Sequence, residues 1–219
     1  MMGTNEELPV LCSYWQSSCS WRVRIGLAWK GIAYTTMRVL TDDGEFTDEY
    51  VQLNPSKRLP ALIIDGHVLT QSASILEYLE ETRPEKPLLS AEPLARARVR
   101  TICQLIAADI QPMQNLGMIE KVVEDLPKEE QAAKTSAWGK HWIHRGFLGL
   151  EQELARTAGK FCVGDSVTMA DLFLVPQVYN ANRFGVDMSE FPTIARISAE
   201  LSLIPAFQVS HPSTQPGAQ

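Results

Sequence analysis

Along the first third of the chain the apolar positions alternate between strand-like runs and helical spacing. Residues 10–15, VLCSYW, are a short run rich in strand formers. In residues 21–30 Val23 and Leu27 recur at i, i+4, as do Ile25 and Trp29, which predicts a helix ending before Gly31. Residues 33–40 read as a second strand and 41–44 as a polar turn. A weaker helical segment, 46–53, ends at Asn54-Pro55. Residues 60–64, PALII, and 68–69 flank Asp65-Gly66, the strongest hairpin signal in the chain. From 72 to 82, Ile75, Leu76 and Leu79 return to helical spacing, and Arg83-Pro84 closes that helix. The order strand, helix, strand, helix, hairpin, helix requires a parallel first pair and an antiparallel hairpin. It predicts a mixed four-stranded sheet with helices on its faces.

Residues 84–93 carry three prolines and read as a linker. Beyond them the strand signal vanishes. Residues 94–110, 129–157 and 168–182 are predicted helices, the middle one divided. Thr168-x-x-Asp171 before an apolar run is a capping box in its acidic form. Trp138 and Trp142, four apart, read as core. The fold class is therefore an α/β domain over residues 8–88 followed by an all-α domain over 93–211, with 211–219 a frayed tail.

Composition narrows the function. The chain has 219 residues, 45% of them hydrophobic and 21% charged, enough for full cores. No apolar run reaches the length of a membrane span, and the first ten residues lack the basic and apolar regions of a secretory signal. The net charge of −6 argues against nucleic acid as a partner, while a local basic pocket can still take an anionic small molecule. The four cysteines, Cys12, Cys19, Cys103 and Cys162, contain no CxxC, and the four histidines make no metal pattern with them. A disulfide framework and a bound metal are not expected. Reduced thiols and no signal place the protein in the cytoplasm.

Three features carry chemistry. Ser17-Ser18-Cys19-Ser20-Trp21-Arg22 lies where a strand ends and a helix begins. Free amides and the helix dipole there favour an anion and lower the pKa of a thiol. The plainer reading makes Ser17 or Ser18 an N-cap and Cys19 a small buried hydrophobe. Leu59-Pro60 opens a strand beside that helix. It is either a cis proline that exposes the Leu59 main chain to an extended ligand or a proline that starts an edge strand. Gln71-Ser72 starts a helix. It is either a simple N-cap or an amide and hydroxyl that hold a carboxylate.

Together, in one small α/β unit, these three resemble the glutathione-binding domain of cytosolic glutathione transferases, and the proline linker and helical second domain extend the resemblance over nearly the whole chain. SSCSWRVRI is similar to the signature of the zeta class. QSASILEYLEETRP, IQPMQN, VGDSVTMADLFLVPQVYNANRF and AFQVSHPSTQP are similar to corresponding zeta-class segments. The resemblance implies a thioredoxin-like N-terminal domain, glutathione as cofactor, an anionic small-molecule substrate and a homodimer. It implies isomerisation of maleylacetoacetate to fumarylacetoacetate in tyrosine and phenylalanine breakdown, with haloacid dehalogenation as a side activity. A general glutathione transferase or peroxidase, or a non-catalytic module of the same fold, are the alternatives. By the same resemblance Ser17 activates the glutathione thiol, with Ser18 and Cys19 beside it and Ser20, Trp21 and Arg22 completing the string. Leu59 supplies main-chain contacts, Gln71 and Ser72 take the γ-glutamyl end, and Gln111 and Asn115 reach in from the second domain. Arg183, placed after a predicted helix and supported by the resemblance, is expected to meet a substrate carboxylate, although it also reads as an exposed arginine closing a helix. Arg22, on the first turn of its helix, either lies in the same substrate pocket or pairs with an acid. Glu45 departs from the family, which often has glutamine there. An acid would repel the glycyl carboxylate, so no contact is assigned to it.

Overall fold

The computed structural model describes residues 7–218. It divides into two compact units, one running to Lys86 and resuming at Pro205, the other spanning Pro87–Ile204.

The first unit holds a four-stranded sheet in the order β2-β1-β3-β4. β1 (Val10–Cys12) runs parallel to β2 (Thr35–Met37) and antiparallel to β3 (Ala61–Ile64), which pairs antiparallel with β4 (His67–Thr70). The mixed sheet matches the topology required by the sequence order. Both leading strands are shorter than their apolar runs. The β1–β2 ladder stops at Met37, and Leu40 instead bridges Phe46 across the turn at Gly44. Asp65 and Gly66 both have positive φ, 53° and 76°, as a tight hairpin turn needs. α1 (Ser18–Lys30) ends at Gly31 in the left-handed region, and Thr47 caps the short α2 (Asp48–Leu53). α3 spans Ser72–Thr82, the bounds its spacing predicts. The core of this unit is Leu11, Val23, Ile25, Leu27, Leu62, Ile75, Leu76 and Leu79, all fully buried.

The second unit is helical. α4 (Pro93–Gln104) does not continue as an ordinary helix to 110. It widens into a π turn over Leu105–Ile110 and tightens into a 3-10 turn over Gln111–Gln114. Pro112 lacks an amide proton and its ring clashes with the carbonyl one turn earlier, which disfavours a regular helix there. α5 (Leu116–Val123) and α8 (Pro192–Ser202) have no counterpart in the sequence reading. α6 (Lys128–Thr157) is one unbroken helix rather than two, and α7 covers Met169–Arg183. Glycines 139 and 146 of α6 are close-packing points and not breaks. A Cβ built on Gly139 would lie 2.3 Å from the Phe184 ring, and one on Gly146 would lie 2.3 Å from Ile110. The capping box of α7 is present, and the Asp171 carboxylate also accepts from the Cys162 amide at 2.9 Å.

The chain end departs from expectation. Residues 205–211, assigned from sequence to the helical domain, pack with the α/β unit, where α9 (Pro205–Val209) lies against α1. Residues 211–218 are not a frayed tail: a 3-10 turn at Pro212–Thr214 is capped by His211, whose ring accepts from the Ser213 amide. Gln219, and residues 1–6 of the segment read for a secretory signal, lie outside the described residues. No helix among the described residues is long and apolar enough to cross a membrane.

Candidate active site

The register of the sheet gathers the sequence candidates of the first unit. Cys12 of β1 pairs with Ala61 of β3, and Ala61 pairs with Thr70 of β4. The chain leaves that one row towards Ser17 after Cys12, enters it from Leu59-Pro60 before Ala61, and leaves it towards Gln71-Ser72 after Thr70. Three segments far apart in sequence therefore meet at one end of the sheet, where β1 and β4 finish and β3 begins.

Ser17 is the N-cap of α1. Its backbone is extended (φ −66°, ψ 112°), and its Oγ accepts from the Ser20 amide at 3.2 Å. The capping and catalytic readings do not compete, because a hydroxyl that accepts one bond keeps its own proton to donate. Ser18 and Cys19, the next two residues, have no preceding helical carbonyl for their amides. Those amides, the dipole and the Ser17 proton together favour negative charge at this spot. Ser18 and Ser20 are buried, and Cys19 is partly accessible, so it is not the buried hydrophobe of the plainer reading. The other thiols are poorly suited to act. Burial, helped by Glu49, pushes Cys12 up to about 11, and burial beside Asp171 holds Cys162 well above the usual thiol range.

The Leu59-Pro60 bond is cis. The approach to it is held by Asn54 Nδ2, which donates to the Arg58 carbonyl at 2.7 Å, and by the Tyr50 hydroxyl, which donates to the same carbonyl. Among the described residues nothing bonds to the Leu59 main chain. Gln71 is exposed and sits at φ 66°, ψ 116°. A non-glycine residue in that region is strained, and such strain persists where surrounding structure enforces it, often at ligand sites. Ser72 follows as the first residue of α3, 6% exposed. Arg22, expected to touch the substrate, is only 2% exposed, and its Nη1 donates to Ser72 Oγ at 3.2 Å. Trp21, 2% exposed, donates through Nε1 to Ser210 Oγ. Glu45 is exposed beyond this row, its amide bonded to Thr41 Oγ1.

Sequence reasoning missed Arg24. This buried guanidinium donates to Ser13 Oγ at 3.1 Å and to the Tyr14 and Trp15 carbonyls, the loop that leads to Ser17. It also donates to the Ser210 carbonyl at 3.2 Å. The available signal was two arginines, 22 and 24, inside a helix that is otherwise apolar there. Charges so placed are buried only when hydrogen-bonded.

The remaining candidates belong to the second unit. Gln111 opens the 3-10 turn after the π segment, and Asn115 caps α5 through its side chain, which accepts from the Gly117 amide. Arg183, the last residue of α7, is exposed and lines a cleft of about 540 Å³ with Lys128, Glu120, Thr135 and Phe184. Gln111 and Asn115 do not line that cleft. Trp138 and Trp142 are half-buried neighbours with ring centroids 5.8 Å apart, and Trp138 donates to the Met113 carbonyl.

A family described as glutathione S-transferase, N-terminal domain, matches residues 16–82. The maleylacetoacetate isomerase of Mus musculus is 52% identical over 95% of this chain and 94% of its own length. The holo structure of a maleylpyruvate isomerase, a bacterial glutathione transferase of the zeta class, superposes with a TM-score of 0.90 at 36% identity, covering 96% of this chain and all of that one. The chain belongs to the maleylacetoacetate isomerase family of zeta-class glutathione transferases. A further member, the maleylacetoacetate isomerase from Anaeromyxobacter dehalogenans, was solved with glutathione bound in its active site. It matches with a TM-score of 0.84 at 38% identity over 98% of this chain and 100% of its own. The glutathione transferase fold expected from the sequence is thus the fold of this family. The residues present fit the tripeptide: thiolate-stabilising donors at the start of α1, an unengaged main chain at Leu59, and a strained, exposed Gln71 beside the first turn of α3.

Proposed function

We propose that the protein catalyses the glutathione-dependent cis–trans isomerisation of maleylacetoacetate to fumarylacetoacetate, in tyrosine and phenylalanine breakdown. The observation that carries this is Ser17, an N-cap whose oxygen is occupied by the Ser20 amide and whose proton remains to be given to a sulfur. When bound, glutathione supplies a thiolate that adds to the conjugated double bond, allows rotation about it and is then expelled. The protein's part is to hold that sulfur charged at neutral pH and to fix the substrate against it. Ser17 donates to the sulfur. Ser18 and Cys19 contribute first-turn amides, and Cys19 positions the tripeptide without itself attacking. The Leu59 main chain takes the extended backbone, Gln71 and Ser72 take the γ-glutamyl end, and Gln111 and Asn115 keep the contacts implied by family resemblance. Arg183, with Lys128 in the same cleft, offers positive charge to a carboxylate of the dianionic substrate. The reading includes a cytoplasmic homodimer.

The superposition on a maleylpyruvate isomerase favours a second reading, in which the substrate is a maleyl keto acid of shorter chain. A spectroscopic assay of both substrates, with and without glutathione, separates them. The expected result is rapid loss of maleylacetoacetate that requires glutathione. Preference for maleylpyruvate would install the second reading, and no turnover of either would reject both.

A further inference from the structure

Arg22 lies within α1 as an almost fully buried guanidinium, and its Nη1 donates to Ser72 Oγ across to α3. An arginine carries only donors. The Ser72 oxygen therefore gives one lone pair to Arg22, and the Ser72 proton cannot point in that direction. Among the described residues the Ser72 hydroxyl accepts from Arg22 and donates to no protein group, and the unpaired amides of that helix end favour an anionic acceptor beside it. The proton is turned towards whatever acceptor sits at that helix end. We infer that Arg22 is a positioning residue for glutathione: it sets the Ser72 hydroxyl as an obligate donor to the carboxylate of the γ-glutamyl group. Its buried positive charge adds to the preference of the same helix end for an anion. This rests on the reading of Gln71 and Ser72 as the γ-glutamyl site. It also explains why an arginine sits under that site without reaching the surface.

The test is the dissociation constant of glutathione, and of an analogue lacking the γ-glutamyl α-carboxylate, for wild type, Arg22→Met, Ser72→Ala and the double variant. Arg22→Met is expected to weaken glutathione about tenfold or more, the worth of a hydrogen bond to a charged group, and to leave the analogue nearly unchanged. The double variant should bind no worse than the weaker single variant, because both changes remove one interaction. Arg22→Lys should recover part of the loss, and kcat at saturating glutathione should change far less than the dissociation constant. Should Arg22→Met fail to fold, Arg22→Leu also removes both the donor and the charge and carries the same comparison. Equal weakening of glutathione and analogue by the Arg22 variants, with Ser72→Ala still discriminating, overturns the positioning role alone. If Ser72→Ala does not discriminate either, the γ-glutamyl reading falls and the inference falls with it.

Discussion

At Ser17 one hydroxyl serves two purposes through different atoms. Its oxygen caps α1, and its proton is available to a thiolate. A hydrogen bond to a charged group contributes about 1.5–3 kcal/mol, or about one to two pKa units. Ser17→Ala should raise the pKa of bound glutathione by that amount and lower turnover near neutral pH, while Gln71, Ser72 and Leu59 still retain the tripeptide. Thiolate absorbance against pH, measured with the isomerase rate, checks this. Unchanged curves would assign the activation to Ser18 or a backbone amide. Cys19→Ala should weaken glutathione binding yet keep measurable turnover, and abolished turnover with intact binding would make Cys19 the nucleophile. Asp171 shows the opposite case, a charged residue with a structural task. It is fully buried, and its carboxylate accepts from the Thr168 amide at 2.7 Å, the Thr168 hydroxyl at 3.0 Å and the Cys162 amide at 2.9 Å. Asp171→Ala would leave these donors unsatisfied, so a loss of about 2–5 kcal/mol is expected, more than an exposed cap residue is worth. Denaturant unfolding measures it. Unchanged stability with lost activity would make Asp171 catalytic.

At the scale of elements, legibility followed the range of the forces involved. α3 was readable to its ends because Ile75, Leu76 and Leu79 mark its face and Pro84 its stop. The hairpin was readable because Asp65-Gly66 supplies the positive φ values locally. The lengths of β1 and β2 were not, because a strand ends where its partner's ladder ends and not where its apolar run does. The site divides the same way. Ser17, Ser72 and the Leu59-Pro60 turn are local signals, whereas the bonds from Arg22 to Ser72 and from Arg24 to Ser210 join residues 50 and 186 apart in sequence. Gln111 and Asn115 came from family resemblance alone, and Arg183 from its place after a predicted helix with the resemblance in support. The division expected within 129–157 is absent from α6, and its glycines 139 and 146 are points of close approach that spacing alone cannot distinguish from breaks. Two substitutions in this helix should differ in sign. Gly146→Ala places a Cβ 2.3 Å from Ile110 in the π segment, and overpacking of this kind costs about 1–3 kcal/mol. Gly149→Ala meets nothing within 4 Å and should stabilise the helix by about 0.5–1 kcal/mol. Melting of the two variants side by side decides it, and equal effects would show that the Ile110 contact yields freely.

At the scale of the whole chain, its end returns to its beginning. Ser210 accepts from Trp21 through its hydroxyl and from Arg24 through its carbonyl, and the His211 ring meets Trp21 edge-on with centroids 5.1 Å apart. His211 has its pKa lowered by burial and by the nearby Arg24 charge. A base with a lowered folded value binds fewer protons folded than unfolded. Its contribution is therefore complete above pH 6.5, starts to fall as the pH drops below that value, and is lost once the pH is below the folded value. His211→Gln should flatten the melting-temperature profile between pH 7.5 and about 5. An unchanged slope would place that pH dependence elsewhere. Arg24 carries the larger consequence. Burial lowers its pKa only to about 10, so it stays charged at neutral pH. Its planar fork reaches Ser13, Tyr14, Trp15 and Ser210 together, tying the chain end to the loop that aims Ser17. A lysine has the charge but is a single point donor and cannot span those acceptors. Arg24→Lys should therefore cost about 2–5 kcal/mol in unfolding free energy through abandoned buried carbonyls. It should also lower kcat more than it raises the KM for glutathione, because Leu59, Gln71 and Ser72 hold the tripeptide from other segments while Ser17 drifts from the sulfur. Steady-state kinetics at saturating substrate, run well below the melting temperature of the variant, separates the two effects. A variant that loses stability but keeps the wild-type kcat would show that Ser17 is held by its own helix and owes nothing to the chain end.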